Sequence, residues 1–191
     1  MAWDTARTQR LLLEAAVAEF SEHGPQGARV ARIAQRAGIN KERIYQYFGN
    51  KDQLFVAALS SELSKAADAV PLTAEHLADL GEYAGTIYDY QQKNPHLLRL
   101  MSWEGLAFGD SIVDGAVRAD FYADKIAVLT DAQRTGEVSA EVNPEQIVYA
   151  LIALTSFWST LPHLGRLMLP EAGDKGPRAD IVALVRRLTR P

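Results

Sequence analysis

Between residues 29 and 51 the chain gathers side chains that suit a polyanion. Lys41 and Arg43 fall within one turn of each other, Tyr45, Gln46 and Tyr47 follow, and Lys51 closes the group; Arg29 and Arg32 stand just upstream. Ammonium and guanidinium groups neutralise phosphates. A guanidinium also fits guanine O6 and N7 with two hydrogen bonds, a contact that discriminates between bases by ~1–3 kcal/mol. Tyrosine hydroxyls and glutamine amides donate to phosphates, or reach bases, while contacts to the backbone position a protein without reading sequence. Glu42 is either an acceptor for cytosine N4 or an ordinary surface acid. The implied chemistry is binding of a DNA duplex. Lys41 and Arg43 are the candidate base readers, and Arg29, Arg32, Tyr45, Gln46, Tyr47 and Lys51 complete the contacting set.

Two short helices and a tight turn must hold these groups. Val30, Ile33, Ala34 and Ala37 recur at i, i+3, i+4 and i+7, one apolar stripe on a helix. Gly38 follows, where a left-handed residue ends a helix at low cost. Asn40 suits the N-cap of the next helix. Ile44 and Phe48 form the buried side of that helix, which leaves Lys41, Arg43, Gln46 and Tyr47 on its polar side with Tyr45 at the edge. This is the layout of a helix-turn-helix whose second helix enters a major groove.

The run Ile33-Ala34, Ala37-Gly38-Ile39 and Ile44-Tyr45-Gln46-Tyr47-Phe48-Gly49-Asn50-Lys51 resembles the DNA-binding signature of the TetR family of transcriptional regulators. The lead-in Leu12, Ala15-Ala16, Phe20 and Gly24 is similar to that family's first helix. A looser resemblance, Asn94-Pro95-His96-Leu97-Leu98-Arg99-Leu100 with Trp103-Glu104, is similar to a ligand-domain helix of one subgroup. The likeness implies an all-α fold of about nine helices. A three-helix DNA-binding domain would occupy residues 1–50, and a ligand-binding and dimerisation domain residues 51–191. It also implies a palindromic operator, a small-molecule effector of unknown identity and a homodimer, with repression as the family habit. The chain departs from the pattern at Ala28-Arg29, where the family usually carries Thr or Ser. The lost hydroxyl cap costs about 1 kcal/mol at a typical site. Two replacements are open: Gly27 as a weaker cap, or Arg29 reaching a phosphate. The long pair Glu42-Arg43 stands where the family often has a small residue, so the base preference should be this chain's own.

Composition agrees with two parts. The 191 residues carry a net charge of −4, which alone argues against a DNA binder. Residues 1–51, however, hold eight Lys/Arg against five Asp/Glu, and the remainder 12 against 19. Attraction to phosphate depends on the face presented, so a basic head on an acidic body is consistent. The chain has no cysteine, which excludes disulfides, thiolate nucleophiles and cysteine-zinc sites and fits a cytoplasmic protein. No secretory signal is visible at the N-terminus.

Helical patterns continue throughout. Helices are expected over 5–23, 50–69, 73–92, 95–106, 111–134, 144–161 and 178–189, besides the two above. Residues 146–165 contain no Asp, Glu, Lys or Arg. A membrane span needs ~20 apolar residues, but Tyr149, Thr155, Ser156, Ser159, Thr160, Pro162 and His163 make this stretch only moderately apolar. We read it as a helix covered on one side by its own core and on the other by a second subunit, since the resemblance places the dimer interface on the last two long helices. Ile152, Thr155, Ser156, Ser159, Leu184 and Leu188 are the expected interface. For the effector, the aromatic residues Tyr88, Trp103, Phe108, Phe121, Tyr122 and Trp158 are the candidate lining, suited to an apolar or aromatic compound. Tyr83 and Phe157 fall in the same aromatic body; for any one of these aromatics a plain core position is the alternative, and Trp103 and Tyr122 lead the set because the resemblance places their helices at the pocket. His23, His76, His96 and His163 show no metal-ligand spacing, so no metal or cofactor is expected. No phosphate loop, nucleophile elbow or zinc-hydrolase motif occurs. The rival readings are a DNA-binding regulator without effector and an all-α enzyme.

Overall fold

The computed structural model describes residues 2–109, 115–168 and 177–190. The described residues form ten α-helices and a short 3-10 helix, with no strand. The helices are α1 (Ala2–Gly27), α2 (Val30–Ala37), α3 (Lys41–Phe48), α4 (Lys51–Ala69), α5 (Leu80–Lys93), α6 (Pro95–Phe108), α7 (Gly115–Thr135), α8 (Pro144–Thr160), α9 (Pro162–Met168) and α10 (Arg178–Thr189). They divide into two compact units. The first is Met1–Lys65 with His96–Gly115, and the second is Ala66–Pro95 with Ala116–Pro191. The contacts therefore divide the chain differently from the signature: most of α4 and nearly all of α6 belong with the head.

In the first unit, α1 buries Leu12, Ala16 and Phe20, and Phe20 meets Phe55 of α4 edge to face at 5.2 Å. Phe55 stacks in turn on Phe108 of α6, centroids 5.5 Å apart. Gly24 kinks α1, with φ 65 and ψ 172, a region essentially restricted to glycine. The indole of Trp103 lies over Gly24, so that a Cβ there would sit 2.7 Å from the ring. Leu54, Phe55, Ala58 and Leu59 form the apolar stripe of α4, and Glu62 lies on the same stripe, buried. Its carboxylate accepts from Lys65 Nζ at 2.6 Å and is 2.7 Å from Nε2 of His96 at the start of α6. Burial opposes its ionisation. The hydrogen bonds and charges of Lys65 and His96 prevail, holding its carboxyl below the ordinary range.

The core of the second unit joins Leu80, Tyr83 and Ala84 of α5, Leu129 and Ala132 of α7, Ile147, Val148 and Leu151 of α8, and Ile181 and Val185 of α10. Helix α10 approaches α5 closely over Gly81 and Gly85. A Cβ on Gly81 would lie 2.6 Å from the Val182 carbonyl oxygen, and one on Gly85 2.8 Å from the Arg178 guanidinium. Ion pairs rim that contact: Arg178 with Asp89 and Glu82, Arg186 with Asp79 and Glu82. The Tyr83 hydroxyl donates to Val70 O at 3.1 Å, and burial pushes its pKa up to about 12. Lys125 Nζ donates to the same carbonyl and to the Tyr83 hydroxyl, each at 3.2 Å.

Two elements differ from the sequence reading. The helix expected from residue 73 starts as a 3-10 helix, Ala74–Asp79, because Asp79 caps α5 by accepting from Glu82 N–H at 3.1 Å. The stretch after residue 161 forms α9, which begins on Pro162 and bends from α8 by 89°. Among the described residues no single helix is long and apolar enough to cross a membrane. The α8–α9 pair reaches that composition only across its bend.

Candidate nucleic-acid interface

The turn between α2 and α3 is closed by backbone bonds. Gly38 takes φ 65, ψ 28; its N–H reaches Gln35 O at 3.2 Å and the Ile39 N–H reaches Ala34 O at 3.0 Å. These are the two bonds of a Schellman motif. Asn40 caps α3, its side-chain oxygen accepting from Glu42 N–H at 3.4 Å. Ile44 is fully buried, which fixes the helix on its axis and turns the opposite side outward. Lys41, Glu42, Arg43 and Gln46 are exposed, and Tyr45 is 51% exposed. Arg43 Nη1 donates to Gln46 Oε1 at 2.9 Å, so the guanidinium lies along the helix surface beside the Gln46 amide. Tyr47 is half-buried, its ring edge-to-face with Phe48 at 6.3 Å. Lys51 Nζ points back to Ala28 O at 3.4 Å. The reading of α3 as a helix with an outward cationic and amide face is thus what the fold presents.

No side chain caps α2 from position 29; the N–H of that residue is instead held from α1. Glu19, 1% exposed, accepts from the Arg29 backbone N–H at 2.9 Å and from Arg32 Nε at 2.7 Å. This contact, from ten residues upstream, is neither of the two replacements considered for the hydroxyl. A carboxylate at a helix N-terminus also meets the positive end of the helix dipole. Burial works against ionisation of Glu19, but the Arg32 hydrogen bond, the Arg29 N–H and the charges of Arg32 and His23 outweigh it. Its carboxyl sits below the ordinary value of 4.5. The guanidinium of Arg32, expected at a phosphate, is held in this structure by Glu19 and by Gly27 O at 3.0 Å and remains partly exposed. Glu19 escaped the sequence reading, although a charge at i+3 and i+4 of Ala16 and Ala15 on an apolar stripe was the available signal.

The aromatic set does not come together as expected. Trp103 covers Gly24 and Phe108 stacks on Phe55, both in the first unit. Tyr88, Tyr122 and Trp158 are partly buried against the core of the second, where Phe121 is also half-buried. Trp158 further lines an apolar cavity of about 250 Å³ with Phe157, Leu161, Leu164, Gly165 and Met168.

The hydroxyls expected at an interface on α8 have partners within their own chain. Thr155 is completely buried in its own chain, and it and Ser156 accept from Gln91 Nε2 at 3.2 and 3.1 Å. Ser159 accepts from Gln92 Nε2 at 2.7 Å. These hydroxyls serve α5. Ile152 packs against the core. The outward apolar groups are instead Tyr149 and Phe157, then Leu161, Leu164, Leu167 and Met168, with Leu184 on α10 exposed as expected and Leu188 half-buried.

Comparison with known proteins bears on this geometry. A family model described as bacterial regulatory proteins, tetR family, matches residues 12–58, and one described as tetracyclin repressor-like, C-terminal domain, matches residues 79–190. The chain is similar to the HTH-type transcriptional repressor SCO4008 of Streptomyces coelicolor, 34% identical over 188 residues, covering 97% of this chain and 96% of that one. It is 27% identical to the HTH-type transcriptional repressor NicS of Pseudomonas putida, over 94% of this chain and 89% of the other. The crystal structure of SCO4942 from Streptomyces coelicolor superposes with a TM-score of 0.81 at 30% identity, covering 96% of this chain and 98% of that one.

Proposed function

Because this chain belongs to the TetR family of bacterial regulatory proteins and is a DNA-binding transcriptional regulator, we propose that α3 reads a major groove with Arg43, Lys41 and Gln46. The observation that carries this is the outward, cationic face of α3 set by the fully buried Ile44. Tyr45, Tyr47, Lys51 and Arg29 hold phosphates beside it, and the exposed Arg7 near the start of α1 adds affinity independent of sequence. Two copies bind a palindrome with their α3 helices about 34–36 Å apart, in successive major grooves. The exposed side chains Tyr149 and Phe157 on α8, Leu161 just beyond its end and Leu184 on α10 supply an apolar surface for the second copy. The DNA-binding segment is residues 1–50 and the regulatory segment residues 51–191, of which most of α4 and nearly all of α6 pack with the head. A small apolar or aromatic effector held in the body weakens operator binding; a coupling of ~1–3 kcal/mol changes affinity about 5–150-fold. The protein acts as a cytoplasmic repressor.

Selection from a random duplex pool, followed by footprinting and sedimentation of the complex, tests this. The expected product is a two-fold symmetric site holding two chains, protected in two adjacent major grooves. An asymmetric site, or a single chain per duplex, overturns the reading.

A further inference from the structure

The core stripe of α5 runs Leu80, Tyr83, Ala84, Ile87 and Tyr88, at i, i+3, i+4, i+7 and i+8, and its next member at i+11 is Gln91. The core stripe of α8 runs Ile147, Val148 and Leu151 and then reaches Thr155. Two apolar stripes thus end on a buried polar pair. Gln91 is 7% exposed and Thr155 fully buried. The amide nitrogen of Gln91 is used twice, donating to Thr155 Oγ1 at 3.2 Å and Ser156 Oγ at 3.1 Å. The Thr155 hydroxyl donates its own proton to Leu151 O at 2.8 Å. Gln91 Oε1 is different: it is buried and no donor of the described protein reaches it. A buried acceptor left in this state is destabilising, and such groups in folded proteins call for a partner.

We propose that Gln91 is the polar anchor of the effector site, its Oε1 accepting a hydrogen bond from an N–H or O–H of a neutral, largely aromatic ligand. This rests on the effector reading above and names the ligand chemistry. Neutrality follows from the surroundings, since α8 offers no acidic or basic residue from 146 to 165 to compensate a buried charge. Aromatic character follows from Tyr88 and Trp158. Each lies within one turn of the polar pair on its own helix and is partly buried against the same core. The polar seam continues to solvent, because the adjoining Gln92, exposed, donates to Ser159.

The test uses matched probes that differ only in the donor: indole against 1-methylindole, and phenol against anisole. Affinities are measured by calorimetry on the full-length wild type, Gln91→Met and Gln91→Leu. Methionine follows the shape of glutamine without the acceptor, so a variant that folds is available if leucine disturbs packing. The wild type is expected to bind at least one donor-bearing probe about tenfold more tightly than its methylated partner, and Gln91→Met to bring that ratio close to one. Equal affinities within each pair, a preference that survives in Gln91→Met, or no binding of any probe overturns the proposal. So does a Gln91→Met protein that melts higher with unchanged probe affinities, which assigns the acceptor to a bridging water. Release of a labelled operator by the same probes separates the two readings. Release that ignores Gln91 removes the anchor and keeps the effector, whereas Gln91-dependent binding without release keeps the anchor and removes the effector.

Discussion

In the first unit the buried polar group beneath the functional face is a carboxylate, Glu19, held by a backbone N–H and a guanidinium. In the second it is an uncharged amide, Gln91, held by two hydroxyls and with one acceptor unmet. The two groups behave differently when disturbed. Breaking a buried ion pair leaves an uncompensated charge and is strongly penalised, so the Glu19 network locks α2 in one pose. A neutral hydrogen-bonded seam tolerates exchange of partners at small cost. The ionic network thus fixes α2, whereas the amide seam between α5 and α8 is held by neutral hydrogen bonds alone.

Glycines probe that contrast most severely. Gly24→Ala forces a side chain into a backbone conformation reserved for glycine and into the Trp103 ring, and should cost about 3 kcal/mol in chemical denaturation. Gly81→Ala meets the Val182 backbone carbonyl, which cannot swing aside as a side chain can, but from an ordinary helical backbone without the strain at Gly24, so about 2 kcal/mol is expected. A body as sensitive as the head at these positions breaks the distinction.

Equal in size to the Gly24 effect, but on binding instead of stability, is the Arg43→Ala, Gln46→Ala double variant. Both side chains are exposed, so melting should be unchanged while affinity for the selected operator falls about 100-fold, ~3 kcal/mol. Gln91→Met should leave affinity for that operator within about twofold in titrations without effector.

Glu19→Gln is expected to cost about 2 kcal/mol at neutral pH, since Arg32 is partly exposed and water recovers some of the loss. Its pH dependence carries a sign. The folded carboxyl lies below 4.5, so its contribution is complete above that value and is lost as pH falls through the folded pKa. Melting curves of wild type and variant should converge under acid; parallel curves would assign the buried charge no role. Smallest is Arg178→Met, whose ion pairs with Asp89 and Glu82 are well exposed: roughly 0.5 kcal/mol or less, shrinking further at high salt.

The head was legible because its signals are local. The stripe from Val30 to Ala37, the left-handed Gly38 and the Asn40 cap all lie within a few residues of the groups they position. Helix α9 was missed although Pro162 marks its start, because the charge-free run was read as a single element ending at 161. What local signals do not carry is tertiary. Trp103 lies over Gly24, 79 positions away in the chain. Thr155, Ser156 and Ser159 accept from glutamines of α5 that nothing near them in the sequence reveals. One signal did exist for the hidden groups: Glu19, Glu62 and Gln91 each occupy a core position of an otherwise apolar stripe. A polar residue at such a position has a partner somewhere, and its sequence does not say where.

The Glu19 network also constrains how this head can change. A hydroxyl introduced at position 29 leaves the Glu19 bond in place, because Glu19 holds the backbone N–H of that residue while an N-cap hydroxyl accepts from the second or third N–H of the helix. Replacing Glu19 by an apolar residue instead strands Arg32 and the Arg29 amide together. Position 29 is therefore expected to vary freely and positions 19 and 32 only as a pair, and grafting this chain's α2–α3 onto another α1 should fail unless Glu19 is carried with it.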